Sequence, residues 1–147
     1  MKLFEFQGKR VFKQYGMPIP SGKIIYPDSD LSELSPPIVL KSQVLTGGRG
    51  KAGGIKLWDG KHDIKSVIKQ LFDLKINNEK VQVILAEEVV NIKKELYLAI
   101  TFNKSSSTQV LIVGTAGGMD IEKSAQMDTN QVLFIEFNPL LGISDFQ

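Results

Sequence analysis

A glycine-rich segment between two apolar runs constrains the fold of this chain more than any other feature. The run from Ile38 to Val44 predicts a strand, Thr46 to Gly54 contains five glycines, and Ile55 to Trp58 predicts the next strand. Glycine has no side chain, so backbone N–H groups in such a loop can approach phosphate oxygens closely. Arg49 in the loop and Lys41 in the preceding strand add positive charge. The strand–loop–strand pattern therefore predicts a site for a polyphosphate.

Other phosphate-binding motifs fit this loop less well. Gly48-x-Gly50-x-x-Gly53 matches the dinucleotide fingerprint, but a Rossmann fold requires a helix directly after the loop, where a strand is predicted here. A Walker loop is excluded because Ala52 follows Gly50-Lys51 where that motif has Ser or Thr. A strand–loop–strand hairpin that covers phosphates occurs in protein kinases and in ATP-grasp enzymes. The H-R-D and D-F-G motifs of protein kinases are absent, so the ATP-grasp hairpin remains. The alternatives from the residues alone are a flexible surface loop and an RGG-like RNA patch, although the latter lacks interleaved aromatic residues.

The rest of the chain alternates between helical and strand patterns. Consecutive strands follow late in the sequence, so the pattern predicts an α/β or α+β fold. The clearest amphipathic helix has its apolar residues at Ile64, Val67, Ile68, Leu71 and Phe72. Trp58 and the phenylalanines are expected in the core. The other predicted elements are a helix over 3–15 with Phe4, Val11, Phe12 and Tyr15 on one face, a strand over 22–26, a short helix from Asp28 to Leu34, a turn at Asn77-Asn78, and strands over 81–90, 96–103, 109–114 and 131–137.

Composition narrows the function classes. The 147 residues suit about one domain, and a net charge of +2 gives no reason to expect nucleic-acid binding. There is no cysteine, and His62 is the only histidine, which excludes disulfides, thiolate metal sites and multi-histidine sites. The longest apolar run, Leu96 to Ile100, is far shorter than the ~18 residues of a membrane span. We therefore expect a soluble, cytoplasmic protein with no membrane partner.

Several long motifs resemble the β subunit of succinyl-CoA synthetase, an ATP-grasp protein. The stretch from Lys41 to Gly54 is similar to that family's K-x-Q-V-x-x-G-G-R-G-K-A-G-G pattern, and residues 3–18 resemble its L-x-E-Y-Q-x-K…Y-G-x-P start. Residues 84–98 resemble the family's hinge. Residues 117–122 resemble its E-G-G-[VM]-[ED]-I-E segment, except that Ala116 replaces the leading Glu.

The resemblance implies an ATP-grasp fold with a first lobe and a truncated second lobe. On this basis residues 1–20 form the N-terminal helix and the entry to the fold, which belong to the second lobe. Residues 21–92 form the first lobe with its phosphate loop, and residues 93–147 begin the second lobe. The family joins succinate to CoA with ATP, giving ADP and phosphate, and a histidine of a partner α subunit carries the phosphoryl group. Relatives that use malate or citrate, and a non-catalytic nucleotide-binding fragment, remain the alternatives.

The resemblance also assigns nucleotide-binding roles. Lys41 is expected to contact an ATP phosphate, and Gly48, Arg49 and Gly50 to line the phosphate loop. At the hinge, Glu87 and Val90 are expected beside the adenine, and Glu95 at the ribose. The alternatives are a solvated carboxylate for Glu87, packing or backbone contacts alone for Val90, and a surface ion pair with Lys94 for Glu95. No catalytic residue is expected in this chain, and His62 matches no histidine role of the family.

Magnesium is the implied cofactor, but none of its ligands is assigned to this chain. Glu136-Phe137-Asn138-Pro139 looks like the family's E-x-N-P box, whose Asn binds magnesium. Counted from Gly117, however, Pro139 falls at an earlier D-P-x-x-G turn, and Gly142 agrees with that register. The expected magnesium ligands and the surface that docks the α subunit therefore map beyond residue 147.

Overall fold

The computed structural model describes residues 2–115 and 132–143, and the chain divides into two compact units, 1–91 and 92–147. None of the helices among these residues is long and apolar enough to cross a membrane. In chain order the elements are α1 (Glu5–Gln14), β1 (Gly22–Ile25), β2 (Ile38–Gln43), β3 (Ile55–Trp58), α2 (Ile64–Phe72), β4 (Lys75–Ile76), β5 (Glu79–Lys80), β6 (Val83–Glu88), β7 (Tyr97–Asn103), β8 (Thr108–Gly114) and β9 (Val132–Phe137).

The first unit contains a four-stranded antiparallel sheet in the order β1-β6-β2-β3. The glycine loop joins the adjacent strands β2 and β3, as the strand–loop–strand pattern predicted. β6 comes last in sequence but inserts between β1 and β2, with Lys41 opposite Leu85 and Val39 opposite Glu87. This insertion brings the end of β6 to the strand that precedes the loop.

One face of this sheet packs on α2 to form the apolar core. Ile68 and Leu71 of α2 are buried against Leu40 and Ile84 of the sheet. The helix begins where Asp63 accepts a hydrogen bond from Ser66 N at 3.0 Å, which satisfies one of the free N–H groups of its first turn. The predicted amphipathic helix is confirmed.

The apolar face predicted for α1 is not a core face. The helix forms as expected, but it buries none of its residues, and Val11, Phe12 and Tyr15 are exposed. The expectation that the phenylalanines lie in the core is wrong for Phe12, as it is for Phe102 and Phe134, although Phe137 and Trp58 are buried. Helical spacing shows which residues share a face of the helix. Whether that face is buried depends on which distant parts of the chain pack against it.

The short helix predicted from Asp28 to Leu34 is wrong, because this segment forms turns. Ser29 Oγ accepts from Tyr26 N at 2.8 Å, and Asp30 accepts from both the backbone and the hydroxyl of Ser32. Such bonds satisfy backbone groups locally and compete with a helix.

The strand predicted over 81–90 is shorter than expected. A hairpin of β4 and β5 precedes it, and β6 begins at Val83. Asn77 and Asn78 form the predicted turn, both with positive φ, a conformation that Asn tolerates better than most residues.

The second unit contains an antiparallel sheet in the order β7-β8-β9. Its strands agree with the predicted ones to within one residue at each end. Leu98, Ile100 and Phe102 alternate along β7 and are exposed. After β9, Leu140 N donates to Asn138 Oδ1 at 2.9 Å, and Gly142, with φ 76°, follows the turn. The predicted turn after Asn138 is confirmed. Ala116 and residues 117–122 lie outside the described residues.

Candidate functional site

The face of the first sheet opposite α2 carries polar side chains. Along β2, Leu40 and Ser42 face the core, so Lys41 and Gln43 point to the other side, because strand residues alternate between faces. Glu87 lies on the same side of β6, diagonal to Lys41 in the strand register. The Nζ of Lys41 is 2.6 Å from Oε2 of Glu87, within the reach of diagonal neighbours on one sheet face.

α1 and the glycine loop complete a cluster of five charged residues. Glu5, in the first turn of α1, has Oε1 2.8 Å from Lys9 Nζ and 3.2 Å from Lys41 Nζ, and its Oε2 accepts from Arg49. Lys9 also pairs with Glu87. We call Glu5, Lys9, Lys41, Arg49 and Glu87 the ion cluster. With three cations and two carboxylates, it has a net charge of +1 when all members are ionised.

Further hydrogen bonds hold the members of the ion cluster in place. Gln43 is buried, donates to the carbonyl of Lys41 at 3.0 Å, and accepts from Phe6 N at 3.2 Å. Arg49 Nη1 donates to the carbonyl of Ser42 at 3.3 Å. Helix, strand and loop are therefore tied together by polar contacts around the cluster.

The charges of the cluster shift the pKa values of two members. Burial by itself would raise the pKa of Glu5, but the hydrogen bond from Lys9 and the charges of Arg49 and Lys41 outweigh it and lower that pKa to about 2. Burial lowers the pKa of Lys41, but the hydrogen bond to Glu87 and the charge of Glu5 raise it by more, so the net shift is upward. Both groups remain ionised at neutral pH.

The glycine loop folds on itself beside the cluster. Ala52 N donates to the carbonyl of Gly48 at 3.0 Å, and Gly54 N donates to the carbonyl of Arg49 at 2.7 Å. Gly48 has φ 84°, a left-handed conformation that side chains other than glycine rarely adopt. Asn77 Nδ2 donates to the carbonyl of Gly47 at 2.9 Å. These contacts hold the loop over the end of β2, where Arg49 reaches the ion cluster.

A cleft of about 530 Å³ lies between α1 and the sheet, with Glu87 and Lys9 in its wall. This volume falls within the range of small-molecule sites. Phe6, Ile24 and Leu85 supply apolar surface. The cleft combines an apolar wall with charged groups, as a site for a heterocycle next to phosphates requires.

Three of the residues expected at the site meet within the first unit. Lys41, Arg49 and Glu87 belong to the ion cluster, while Gly48 and Gly50 lie in the adjoining loop. Val90 is exposed beyond the end of β6. Glu95 is exposed in the second unit, ahead of β7. The nucleotide roles of all these residues remain predictions.

The alternative that Glu87 is an ordinary solvated carboxylate is wrong. The residue is only 3% exposed and pairs with two lysines. A carboxylate can be buried at such a position because cations and hydrogen bonds compensate for its lost hydration. The apolar run of β6 predicted that Glu87 lies near the end of a strand. The sequence did not indicate which cations would pair with Glu87 there.

Sequence reasoning assigned no role to Glu5 and Lys9. Their four-residue spacing places them on one face of α1, which is a usable local signal. That this face meets Lys41 and Arg49 depends on packing between distant segments.

Among residues 2–115 and 132–143, no group of three or more His, Cys, Asp or Glu side chains could hold a metal ion. Asn138 Oδ1 is engaged with the backbone of its own turn. The position of the magnesium ligands remains a prediction.

Fold and site together define a class: an α+β protein in which cations of a glycine-rich hairpin belong to an ion cluster, and two other members of that cluster, Lys9 and Glu87, line a cleft. The model of the ATP-grasp domain family matches residues 2–147, and the chain belongs to that family.

Curated proteins with similar sequences are β subunits of ADP-forming succinate–CoA ligases. The one from Methanocaldococcus jannaschii is 38% identical over 135 residues, which are 90% of this chain and 37% of that protein. The one from Aquifex aeolicus is 34% identical over 158 residues, which are 100% of this chain and 41% of that protein. These matches confirm the resemblance drawn from the motifs. The chain spans about two fifths of the length of these relatives.

A solved structure shares the fold. The ATP citrate lyase of Methanothrix soehngenii, in complex with citrate and coenzyme A, superposes with a TM-score of 0.69 over 97% of this chain and 36% of that chain. The sequence identity is 19%, so the likeness concerns the fold alone. The expectation of an α+β, ATP-grasp fold is confirmed.

Proposed function

We propose that this chain is the nucleotide-binding part of the β subunit of a succinyl-CoA synthetase. The complete enzyme would convert succinate, CoA and ATP into succinyl-CoA, ADP and phosphate, with a phosphohistidine on the α subunit as the intermediate. The observation that carries this proposal is that Lys41 of β2 and Arg49 of the glycine loop both pair with Glu5, in a cluster whose Lys9 and Glu87 also line the cleft. The ligase relatives support the choice of reaction, and we place the enzyme in the cytoplasm.

The residues have separate roles in binding the nucleotide. Lys41 and Arg49 supply charge-assisted hydrogen bonds to phosphate oxygens, each worth about 1.5–3 kcal/mol. Gly48 and Gly50 keep the loop backbone close to the phosphates. The cleft at Glu87 takes the adenine, while Val90 and Glu95 contact the base and the ribose. Phosphoryl transfer depends mainly on positioning and charge stabilisation, which is what such a site provides. Magnesium, held by residues beyond this chain, would neutralise charge on the transferred group.

Calorimetric titration with ADP tests the proposal. Lys41→Ala removes one phosphate contact, and the affinity should fall roughly 10–100-fold, since about 1.4 kcal/mol corresponds to tenfold. Lys23→Ala is the matched control, because Lys23 pairs with Glu33 at the surface and lies outside the cluster. Equal affinities of the wild-type chain and the Lys41 variant would refute the assignment.

A related ligase that acts on malate or citrate differs in residues that contact the acid. The similarity to ATP citrate lyase concerns the fold alone, so it does not favour that alternative. A non-catalytic nucleotide-binding protein would bind ADP in the same test, and formation of succinyl-CoA by the complete β subunit together with an α subunit would exclude that alternative.

A further inference from the structure

We propose that Glu5 competes with the phosphate groups of the nucleotide for Lys41 and Arg49. This inference rests on the proposed function, because it concerns the same phosphate-binding cations. In this arrangement α1 carries a carboxylate that occupies the donors a phosphate would use, and nucleotide binding requires exchanging one anion for the other.

The first observation in support is that Glu5 accepts hydrogen bonds from several cationic donors. Its two oxygens accept from Lys9, Lys41 and Arg49. Arg and Lys donors bind carboxylate and phosphate oxygens through the same charge-assisted contacts, and a guanidinium can serve either in a bidentate manner. A ligand phosphate that reaches Lys41 and Arg49 therefore meets donors already engaged with a fixed negative charge.

The second support is the difference between the two carboxylates of the cluster. The Glu5 side chain is 20% exposed, whereas that of Glu87 is 2% exposed. Moving Glu87 off its lysines would leave a buried charge uncompensated, which is costly. Glu5 can turn toward water and regain hydration, so an incoming anion displaces Glu5 rather than Glu87.

The third support is the way α1 is attached. No residue of the helix is fully buried, and its polar contacts with the sheet are the Glu5 and Lys9 ion pairs and the hydrogen bond from Phe6 N to Gln43. A helix held by polar contacts can shift its first turn without opening an apolar core. Exchange of Glu5 for a phosphate is therefore a local rearrangement.

Titration calorimetry with ADP and, separately, with inorganic pyrophosphate tests the inference on the 147-residue chain. Glu5→Gln keeps the shape of the side chain and removes its charge. We expect it to bind both probes about tenfold more tightly than wild type, and to have a lower melting temperature without ligand. A residue that merely positions Arg49 would give weaker binding on substitution, so the opposite directions of affinity and stability are diagnostic.

Three further variants help to interpret the result. Glu33→Gln makes the same charge change at an exposed acid outside the cluster, and we expect no change in affinity. In the Arg49→Ala background, Glu5→Gln should raise the affinity by less than it does in wild type, because one of the two freed donors is then gone. Glu5→Asp, which keeps the charge on a shorter side chain, should fall between wild type and the Gln variant, and it provides a second test if the Gln variant folds poorly.

The possible outcomes separate the inference from the proposed function. If Lys41→Ala loses ADP binding while Glu5→Gln binds no more tightly than wild type, the competition is refuted and the proposed function stands. An equal gain in the Glu5 and Glu33 variants would also refute it, because it would reflect net charge alone. If ADP binds to none of these proteins, or binds equally to wild type and Lys41→Ala, the proposed function fails and the inference fails with it.

Discussion

Lys41 and Glu87 face each other diagonally across β2 and β6, with Nζ of the lysine 2.6 Å from Oε2 of the glutamate. Lys41 also contacts Glu5, and Glu87 also contacts Lys9. The pair thus links the sheet to α1 on the same side as the glycine loop. Its geometry makes Glu87 an anchor for the cations rather than a freely hydrated acid.

Glu87→Gln should destabilise the chain by about 1.5–3 kcal/mol, because Lys9 and Lys41 both lose a charge-assisted partner. Urea denaturation at neutral pH measures the change. Glu33→Gln is the control, since that carboxylate forms an exposed pair with Lys23, and such pairs contribute about 0–1 kcal/mol. Equal stability of wild type and the Glu87 variant would show that the buried pair contributes nothing.

Acid should remove the stabilisation that Glu5 provides. Its pKa is lowered from 4.5 to about 2 in the folded chain, so the folded state favours the ionised form. The contribution is complete above pH 4.5 and is lost as the pH falls toward about 2. The measurement compares the unfolding free energies of wild type and Glu5→Gln from pH 7 downward. We expect their difference to shrink through this window, and a constant difference would contradict the assignment.

Gly22→Ala should destabilise the pairing of β1 with β6 by about 1–3 kcal/mol. Gly22 lies opposite Glu87, and a Cβ there would come 2.8 Å from the carbonyl oxygen of Ala86 and 2.9 Å from Cγ of Glu87. Thermal denaturation measures the effect. Gly8→Ala is the matched control, because its Cβ would meet no atom within 4 Å, and alanine favours a helix over glycine by about 1 kcal/mol. Opposite shifts in melting temperature are expected, and a stable Gly22 variant would show that the strands can separate to admit the methyl group.

The 147-residue chain should bind nucleotide without catalysing the ligase reaction. Its only histidine, His62, is exposed just before α2, and we expect the phosphoryl acceptor to come from a partner. The assay mixes the chain with an α subunit, ATP, magnesium, CoA and succinate, and measures succinyl-CoA and phosphohistidine. Turnover comparable to that of a full-length β subunit would contradict this prediction, and with it the register that places the magnesium ligands beyond residue 147.

The sequence by itself determined the elements whose causes are local. The spacing of Ile64, Ile68 and Leu71 specified the buried face of α2, and Asp63 specified its start, because helix period and capping act within a few residues. The glycine run between two apolar stretches specified the hairpin and indicated Lys41 and Arg49 as phosphate ligands.

Only the tertiary structure decided how those elements meet. The insertion of β6 between β1 and β2 brought Glu87 to Lys41, and α1 brought Glu5 and Lys9 to the same place. Sequence patterns report which side of an element is apolar, but the partner of a charged residue depends on which distant segments lie beside it. For that reason the sequence could indicate Lys41 and Arg49 as candidate phosphate ligands, and this role remains a prediction, whereas the sequence did not indicate the carboxylates that pair with them.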